Sequence, residues 1–421
     1  MKRTSKKRKI KNKKSEIIII SAISLCLFFI MSFLAVNIFK GKVFEINATK
    51  IANDDSSVKN VTISAIGDIM AHDDQLKAQF DKGTNTYSFD NNFKYVKPYI
   101  SKSDLAIGNL ETTLAGPKAK YSSFPKFNSP DELADAIKNS GVDIVSTINN
   151  HTYDRGSDGV YRTLDVLNSK DIEHVGTQKN DEDENFLIKD VDGVKLGITA
   201  YSYGQVYGST TALNGLNIDY NDLNNLNIFN SSYVDIAFNE IKDTLDVMNN
   251  KESDLQVVIL HWGDEYTRQP NEFQKELAKK LCDYGVDIII GSHPHMVQPI
   301  EMIKSDENDN ETLVIYSLGN FLSNQRNEIL NKKYTEDGVI VNIGINKNLN
   351  TGETKISNVE YIPTWVNKYN NKNGKLTYEI IPLINEKQLS KIDNLPLDKA
   401  KKSYDNTTSI IGSSDILHVA K

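Results

Sequence analysis

The sequence predicts an α/β fold with a layered sheet core, carried on an N-terminal membrane anchor. From residue 61 onward, short apolar runs alternate with amphipathic helical patterns, as expected for strands that alternate with helices. Two strand-like runs flank Asp192-Gly193, a dipeptide typical of a tight hairpin, so antiparallel strands join the sheet. An uncharged apolar stretch over residues 17–39 predicts a transmembrane helix.

Three segments precede the predicted domain. Residues 1–16 carry nine Lys/Arg and one Glu, which predicts a basic cytoplasmic head and places the rest of the protein outside the cell, on a single-pass anchor in the cell membrane. A secretory signal peptide is the competing interpretation, but its apolar region is usually ~7–15 residues long and ends at an A-x-A-like site. The run over 17–39 is longer and lacks a convincing site of that kind, which favours an uncleaved anchor. Residues 40–60 are polar and aperiodic, as in a stalk.

Charge and cysteine content exclude several classes of function. The net charge is −7 and residues 1–16 carry +8, so the remainder carries −15, the difference between the two. An acidic body argues against a nucleic-acid partner, because phosphate backbones are bound by clustered Lys/Arg. The two cysteines, Cys26 in the apolar span and Cys282 in the body, provide neither a disulfide nor a thiolate metal site.

The predicted domain covers residues 61–366. Its predicted strands are 61–67, 104–110, 142–148, 255–262, 286–290, 312–318, 337–348 and 356–366. Its predicted helices are 129–141, 159–170 and 271–285. The first helix pattern has Ser129 as N-cap, Glu132 completing a capping box and Gly141 as its stop. Residues 367–421 are rich in Asn, Lys and Ser, and predict a polar C-terminal extension that is peripheral or partly disordered.

Carboxylates, carboxamides and imidazoles follow the predicted strands where the chain leaves the sheet. These candidates are Asp68, Glu111, Asn150, His151, Asp154, His261, His293 and His295. Taken singly, each is explained as well by an N-cap, a turn or a packed histidine, but open α/β sheets bind ligands beyond the carboxyl ends of their strands. Carboxylate and imidazole without thiolate suit Zn, Mn or Fe, so the pattern predicts a site for one or two divalent ions. His174 and His418 lack such neighbours and are predicted to be structural or on the surface.

Six motifs in this order resemble the CapA (PgsA-type) capsule-synthesis family, which is associated with bacterial poly-γ-glutamate. They are GDIM (67–70), GNLETTL (108–114), NNHTYDRG (149–156), HWGDEY (261–266), GSHPHMVQPIE (291–301) and YSLGNF (316–321), and the match runs from Val61 to Trp365. That family is similar to the calcineurin-like metallophosphoesterases. The resemblance therefore implies a four-layer α/β/β/α sandwich around two metal ions.

The resemblance also implies roles for the strand-end residues. By this resemblance, the ions would be held by Asp68, Glu111, Asn150, His261, His293 and His295. His151, oriented by Asp154, would donate a proton to the leaving group. Two positions depart from the phosphoesterase pattern: Met70 stands where an Asp-x-His motif has its histidine, and Glu111 is the nearest candidate for an absent bridging aspartate.

Three functions remain open from the sequence. The first is a membrane-anchored component of poly-γ-glutamate synthesis or export, acting on an anionic polymer with membrane-embedded synthetase subunits. The second is a surface metallophosphoesterase that hydrolyses a phosphate ester. The third is a scaffold that keeps the fold around a degraded metal site, so enzymatic activity as a metal-dependent hydrolase is left undecided at this point.

Overall fold

The computed structural model describes residues 57–180, 184–208 and 210–420. Three predicted segments lie outside the described residues. They are the basic head, the transmembrane helix over 17–39 and residues 40–56 of the stalk. Within the described ranges, no helix has both the length and the apolar character needed to cross a membrane. The first strand begins at Val58, so the last residues assigned to the stalk belong to the domain.

The described ranges contain the following strands and helices. The strands are β1 (Val58–Ile69), β2 (Phe80–Asp81), β3 (Thr86–Tyr87), β4 (Leu105–Leu110), β5 (Ile144–Ser146), β6 (Glu173–Val175), β7 (Phe186–Val191), β8 (Val194–Tyr207), β9 (Thr210–Leu213), β10 (Leu216–Asn217), β11 (Ile228–Asn230), β12 (Leu255–His261), β13 (Ile288–Ser292), β14 (Ile300–Lys304), β15 (Glu311–Ile315), β16 (Asn320–Leu322), β17 (Asp337–Asn348), β18 (Thr354–Asn370), β19 (Leu376–Pro382) and β20 (Leu417–Val419). The α-helices are α1 (Asp73–Gln79), α2 (Asp90–Phe93), α3 (Lys97–Ile100), α4 (Glu132–Ser140), α5 (Gly156–Ser169), α6 (Val234–Asn249), α7 (Glu272–Tyr284), α8 (Asn327–Leu330), α9 (Glu386–Leu389) and α10 (Leu397–Ile411), with 3₁₀ turns at Pro117–Ala119 and Tyr220–Asn225.

Two large mixed sheets form the framework. The first has the order β19-β18-β17-β1-β4-β5-β6, with β16 beside β1 and β20 beside β18. The second has the order β10-β9-β8-β12-β13-β15-β14, with β7 and β11 beside β8. Strands β1, β4, β5 and β6 run parallel to one another, as do β8, β12, β13 and β15. Each sheet therefore presents a row of carboxyl-terminal strand ends.

The three largest apolar cores of the described residues stack the sheets and helices in layers. The central core joins inner-face residues of the two sheets, such as Ile63 and Val257. The residue after Val257, Val258, points the other way and packs with helices α6 and α7 on the outer face of the second sheet. A third core joins the outer face of the first sheet to α4. The predicted mixed α/β fold is confirmed.

Local predictions are confirmed at the hairpin and wrong at one helix start. Asp192 and Gly193 form a two-residue turn with φ of 47° and 88°, which closes the β7–β8 hairpin. Helix α4 begins at Glu132 without a side-chain cap. Ser129 instead shares a hydrogen bond with the Thr112 hydroxyl at 2.9 Å, so the predicted capping box does not form. The helix ends at Gly141 as predicted.

Residues 367–420 are not peripheral, in contrast to the sequence expectation. Strand β19 pairs with β18 along its whole length, and Tyr378 and Ile380 on it are fully buried. Helix α10 buries Ala400, Ser403 and Thr407. These small and weakly polar side chains lack the apolar stripe that identifies a core-facing helix, which is why composition suggested little core.

Asp337 links this C-terminal helix to the sheet. Its carboxylate accepts hydrogen bonds from the Ser403 hydroxyl at 2.5 Å and from the Asn406 amide at 3.0 Å. Burial raises the pKa of Asp337 to about 7, against an ordinary value of 3.8. Between these two pH values the folded protein holds a proton that the unfolded chain releases, so the free energy of unfolding falls as pH rises.

Asp337→Asn removes this titration. Between pH 5 and 7 we expect wild-type protein to lose stability relative to the variant, by at most about 1.4 kcal/mol per pH unit. Thermal unfolding at pH 5, 6, 7 and 8 measures the difference, with exposed Asp415→Asn as the matched control. Parallel stability profiles for wild type and Asp337→Asn would contradict this assignment.

Candidate metal centre

Strand pairing sets candidate residues side by side at the carboxyl edge of each sheet. In the first sheet, Asp68 on β1 lies opposite Asn109 of β4 on one side and Asn320 of β16 on the other. In the second sheet, His261 on β12 lies opposite Ser292 of β13. The register that pairs the apolar strand interiors therefore also aligns polar residues at the strand ends.

A close backbone approach fixes Asp68. A Cβ atom on Gly67 would lie 2.0 Å from the carbonyl oxygen of Gly319, so only glycine fits between β1 and the segment before β16. The Asp68 N–H donates to the same Gly319 oxygen at 3.0 Å. The backbone that carries the Asp68 carboxylate is therefore held in place by its contacts with Gly319.

The His-Pro-His turn after β13 adopts an unusual backbone. His293 and His295 have φ of 98° and 54°, a region that costs non-glycine residues of order 1–3 kcal/mol. The Pro294 carbonyl accepts a hydrogen bond from the Tyr266 N–H at 2.8 Å, which ties the turn to the loop after β12. Both imidazoles are consequently buried, at 4% and 1% exposure.

Five of the predicted metal ligands converge in two overlapping groups. One group is Glu111, His293 and His295, and the other is Asp68, Glu111 and His261; within each, the candidate ligand atoms lie within 4.8 Å of one another. Glu111 belongs to both groups, and its Oε1 lies 3.7 Å from Nε2 of His261 and 3.7 Å from Nε2 of His295. All five side chains are buried.

The hydrogen bonds of the cluster leave Glu111 without a donor among the described residues. His295 Nδ1 lies 3.1 Å from Asp68 Oδ2, so the shared proton sits there and Nε2 turns its lone pair toward Glu111. Both carboxylate oxygens of Glu111 and the Nδ1 atom of His293 are buried without a hydrogen-bond partner. Such groups are costly unless a cation compensates them, and this set of acceptors fits a divalent ion.

Burial sets the protonation of the cluster. It raises the pKa of Glu111 well above its ordinary value, with the neighbouring Asp68 charge as the next cause. Burial also lowers the pKa of His261 and of His293 well below 6.5, assisted by the other imidazoles. Neutral imidazoles are the form that binds metal ions.

Hydrogen bonds from neighbouring amides and hydroxyls orient the candidate ligands. Asn109 Nδ2 donates to Asp68 Oδ1 at 2.8 Å. His261 lies 3.1 Å from the Ser292 hydroxyl through Nδ1 and 3.0 Å from Asn150 Oδ1 through Nε2. Asn150 is therefore in contact with His261, although it is not a member of either group of three.

His151 and Asp154 form a pair beside the cluster. His151 Nδ1 lies 2.8 Å from Asp154 Oδ2, and the same oxygen accepts the Phe127 N–H at 2.6 Å. The Phe127 ring meets the imidazole edge to face, with centroids 4.7 Å apart. The contacts hold the ring in one orientation and commit Nδ1 to the carboxylate, so Nε2 is the nitrogen available for proton transfer.

Met70 and three further histidines lie apart from the two groups. Met70 is buried with its sulfur 4.0 Å from the Ser323 hydroxyl, and His72 accepts the Asn324 N–H through Nδ1 at 3.2 Å. Burial lowers the pKa of His72 to about 4. His174 lies on β6 and His418 is exposed on β20.

Three contributors were not among the predicted site residues. Asn109 and Asn320 contact Asp68 and His295 respectively, and Tyr203 packs against His293 with ring centroids 4.8 Å apart. The two asparagines do follow the strand-end rule that identified the others. No sequence signal marks Tyr203, which lies inside the alternating pattern of β8.

Comparison with known proteins finds one family that matches most of the domain. The family described as bacterial capsule synthesis protein PGA_cap matches residues 62–325. The capsule biosynthesis protein CapA of Bacillus anthracis is 29% identical over 273 residues, which is 63% of this chain and 61% of that protein. The PGA biosynthesis protein CapA of Bacillus subtilis is 28% identical over 305 residues, 71% of each chain. The chain therefore spans about three fifths of the length of the Bacillus anthracis relative.

Solved structures show more distant similarity. The calcineurin-like phosphoesterase YfkN from Bacillus subtilis gives a TM-score of 0.42 at 14% identity, covering 84% of this chain and 98% of that one. A phosphatase from Mycoplasma pneumoniae gives 0.40 at 15% identity, covering 73% and 94%. The assignment of the metal centre rests on the chain's own geometry.

Glu111→Gln tests the cluster through stability. In metal-free protein at neutral pH we expect the variant to be more stable by about 1–3 kcal/mol, because the buried Glu111 carboxyl, whose pKa is raised, must take up a proton on folding and a glutamine side chain does not. Saturating Mn²⁺ or Zn²⁺ should stabilise wild type by about 2.7 kcal/mol at a hundredfold excess over Kd and should leave the variant nearly unchanged. Thermal unfolding with and without metal measures both effects.

Exposed Glu301→Gln provides the matched control and should behave as wild type. Elemental analysis of wild type, Asp68→Ala and His293→Ala should show stoichiometric metal only in wild type. Metal-induced stabilisation that persists in Glu111→Gln would contradict the assignment of the shared ligand.

Proposed function

The chain belongs to the PGA_cap family of bacterial capsule synthesis proteins, and from this premise we propose that it is a membrane-anchored, extracytoplasmic component of capsule synthesis or export with a divalent-metal centre. The observation that carries the metal centre is the buried Glu111 carboxylate, which is shared by two groups of ligands and has no donor of its own. The printed names of two Bacillus relatives support the capsule role. We take poly-γ-glutamate as the polymer, and membrane-embedded synthetase subunits as the partners.

In this proposal Asp68, Glu111, His261, His293 and His295 hold the metal, with Asn150 beside them. A divalent ion in such a site supplies Lewis-acid activation of water and of the bond to be hydrolysed. The protein supplies the remaining parts. Asn109 fixes the Asp68 carboxylate, and the burial of the cluster excludes bulk water.

His151 is the proposed proton donor. Asp154 holds its Nδ1 in place, so a proton on Nε2 can pass to a leaving group. The Phe127 N–H, bonded to the same carboxylate, keeps Asp154 oriented toward the imidazole. This arrangement favours hydrolysis over a purely structural role, because a scaffold has no use for an oriented imidazole next to a metal cluster.

Replacing His151 separates catalysis from metal binding. We expect His151→Gln to reduce hydrolysis by about 10²- to 10⁴-fold while the metal content stays at the wild-type level. In the natural host, a strain lacking the gene should lose surface polymer. Wild type should restore the polymer, and His151→Gln should fail to do so at equal protein abundance.

His418→Gln makes the same substitution at an exposed histidine outside the site, and this matched control should restore the polymer fully. Full restoration of the surface polymer by His151→Gln would contradict the proposed role of His151 in catalysis. Normal surface polymer in the strain that lacks the gene would contradict the role in capsule synthesis itself.

A further inference from the structure

A cavity of about 390 Å³ opens beside the candidate metal centre. The residues of its wall that matter here are Tyr203, Phe229, Phe273, Asp264, Glu265 and His293. His293 also belongs to one of the two metal-ligand groups, so a molecule in the cavity would touch the metal centre. Of the described residues, no lysine or arginine lines the cavity.

The loop that carries the two acids is fixed in place. Asp264 Oδ2 accepts a hydrogen bond from Asn271 Nδ2 at 2.8 Å, and the Asp264 carbonyl accepts one from the Thr267 hydroxyl at 2.9 Å. Gly263 has φ of 86°, and a Cβ atom there would lie 2.5 Å from the side chain of Gln274. The loop that carries Asp264 and Glu265 is therefore held beside the cavity by these backbone and side-chain contacts.

The negative charge of this cavity has no internal counter-charge. Neither Asp264 nor Glu265 forms an ion pair with any other described residue, although both are exposed. Two carboxylates without a counter-charge, in the wall of a cavity that aromatic rings also line, call for a ligand that donates hydrogen bonds and carries positive charge.

We propose that this cavity binds a primary ammonium group of the substrate next to the metal centre. The aromatic walls favour an organic cation over a hydrated metal ion, because ring faces attract ammonium groups through cation–π contacts. The carboxylates favour it over an anion, which the same charges repel. The inference rests on the proposed function only in taking the ammonium as part of the molecule that reaches the metal centre.

The inference specifies which part of a polymer enters the site. A chain of acidic residues joined by amide bonds carries one free ammonium group, at one end, and carboxylates along its length. The acidic cavity repels the interior of such a chain and accepts its amino end. The terminal residue of the chain would then lie next to the side chains that would hold the metal.

Binding of small probes tests the cavity directly. The full chain in detergent, loaded with Mn²⁺, is titrated with phenethylammonium and with 2-phenylethanol, which has the same ring and chain but no charge. We expect the ammonium to bind at least about tenfold more tightly, since hydrogen bonds to charged groups are the strong ones. Glu265→Gln should reduce that preference by about tenfold and leave the metal content unchanged.

Glu272→Gln serves as the matched control, because Glu272 lies on α7, pairs with Lys275 at 2.8 Å and does not line the cavity. It should keep the full preference for the ammonium. Equal affinities of wild type for the two probes, or an unchanged preference in Glu265→Gln, would overturn the inference. Elemental analysis of the same samples separates the two proposals. If the protein prefers the ammonium probe but contains no metal, only the metal centre is overturned. If it contains metal but binds the two probes equally, only the ammonium site is overturned.

Discussion

The buried carboxylate of Glu111 is the constraint on which the site depends. It is fully buried, it has no hydrogen-bond donor, and three imidazoles and a second carboxylate surround it. Ionising this carboxyl in the metal-free protein is costly, so burial raises its pKa, and no donor within the described residues reduces that cost. A bound divalent cation would make the arrangement favourable. The side chains of the site are therefore arranged to bind a ligand and do not serve to stabilise the fold.

The fold supplies the rigidity that such a site requires. The first sheet contributes Asp68 and Glu111, and the second contributes His261, His293 and His295, so the ligands meet only where the two sheets pack together. The central apolar core between the sheets therefore fixes the separation of the ligands as well as stabilising the domain. The strained backbone at His293 and His295 has the same origin, because the surrounding contacts outweigh the local cost of their φ values.

The sequence predicted the parts of the site that depend on local pattern. Apolar strands followed by a polar residue identified Asp68, Glu111, His261 and the two histidines around Pro294, because a strand's carboxyl end follows from its own residues. Which strands become neighbours depends on tertiary pairing. Asn320 reaches His295 because β16 pairs with β1 from some 250 residues away, and Tyr203 on β8 reaches His293 past β12, the one strand that separates β8 from β13. The C-terminal segment was misjudged for a related reason. Helix α10 buries Ala400, Ser403 and Thr407 as well as Ile411, and small or weakly polar side chains of that kind leave only a weak apolar stripe in the sequence.

The acidic character of the protein is consistent with an anionic polymer if contact with that polymer is confined to its end. Residues 17–421 carry −15, and the cavity beside the metal centre adds two carboxylates that lack ion-pair partners among the described residues. A long polyanion laid across such a surface would be repelled along its whole length. A chain end that carries an ammonium group has the opposite local charge, so the same carboxylates that exclude the interior of the polymer attract its terminus. In the proposed function, charge repulsion along the length of the polymer would therefore be the source of selectivity for its end.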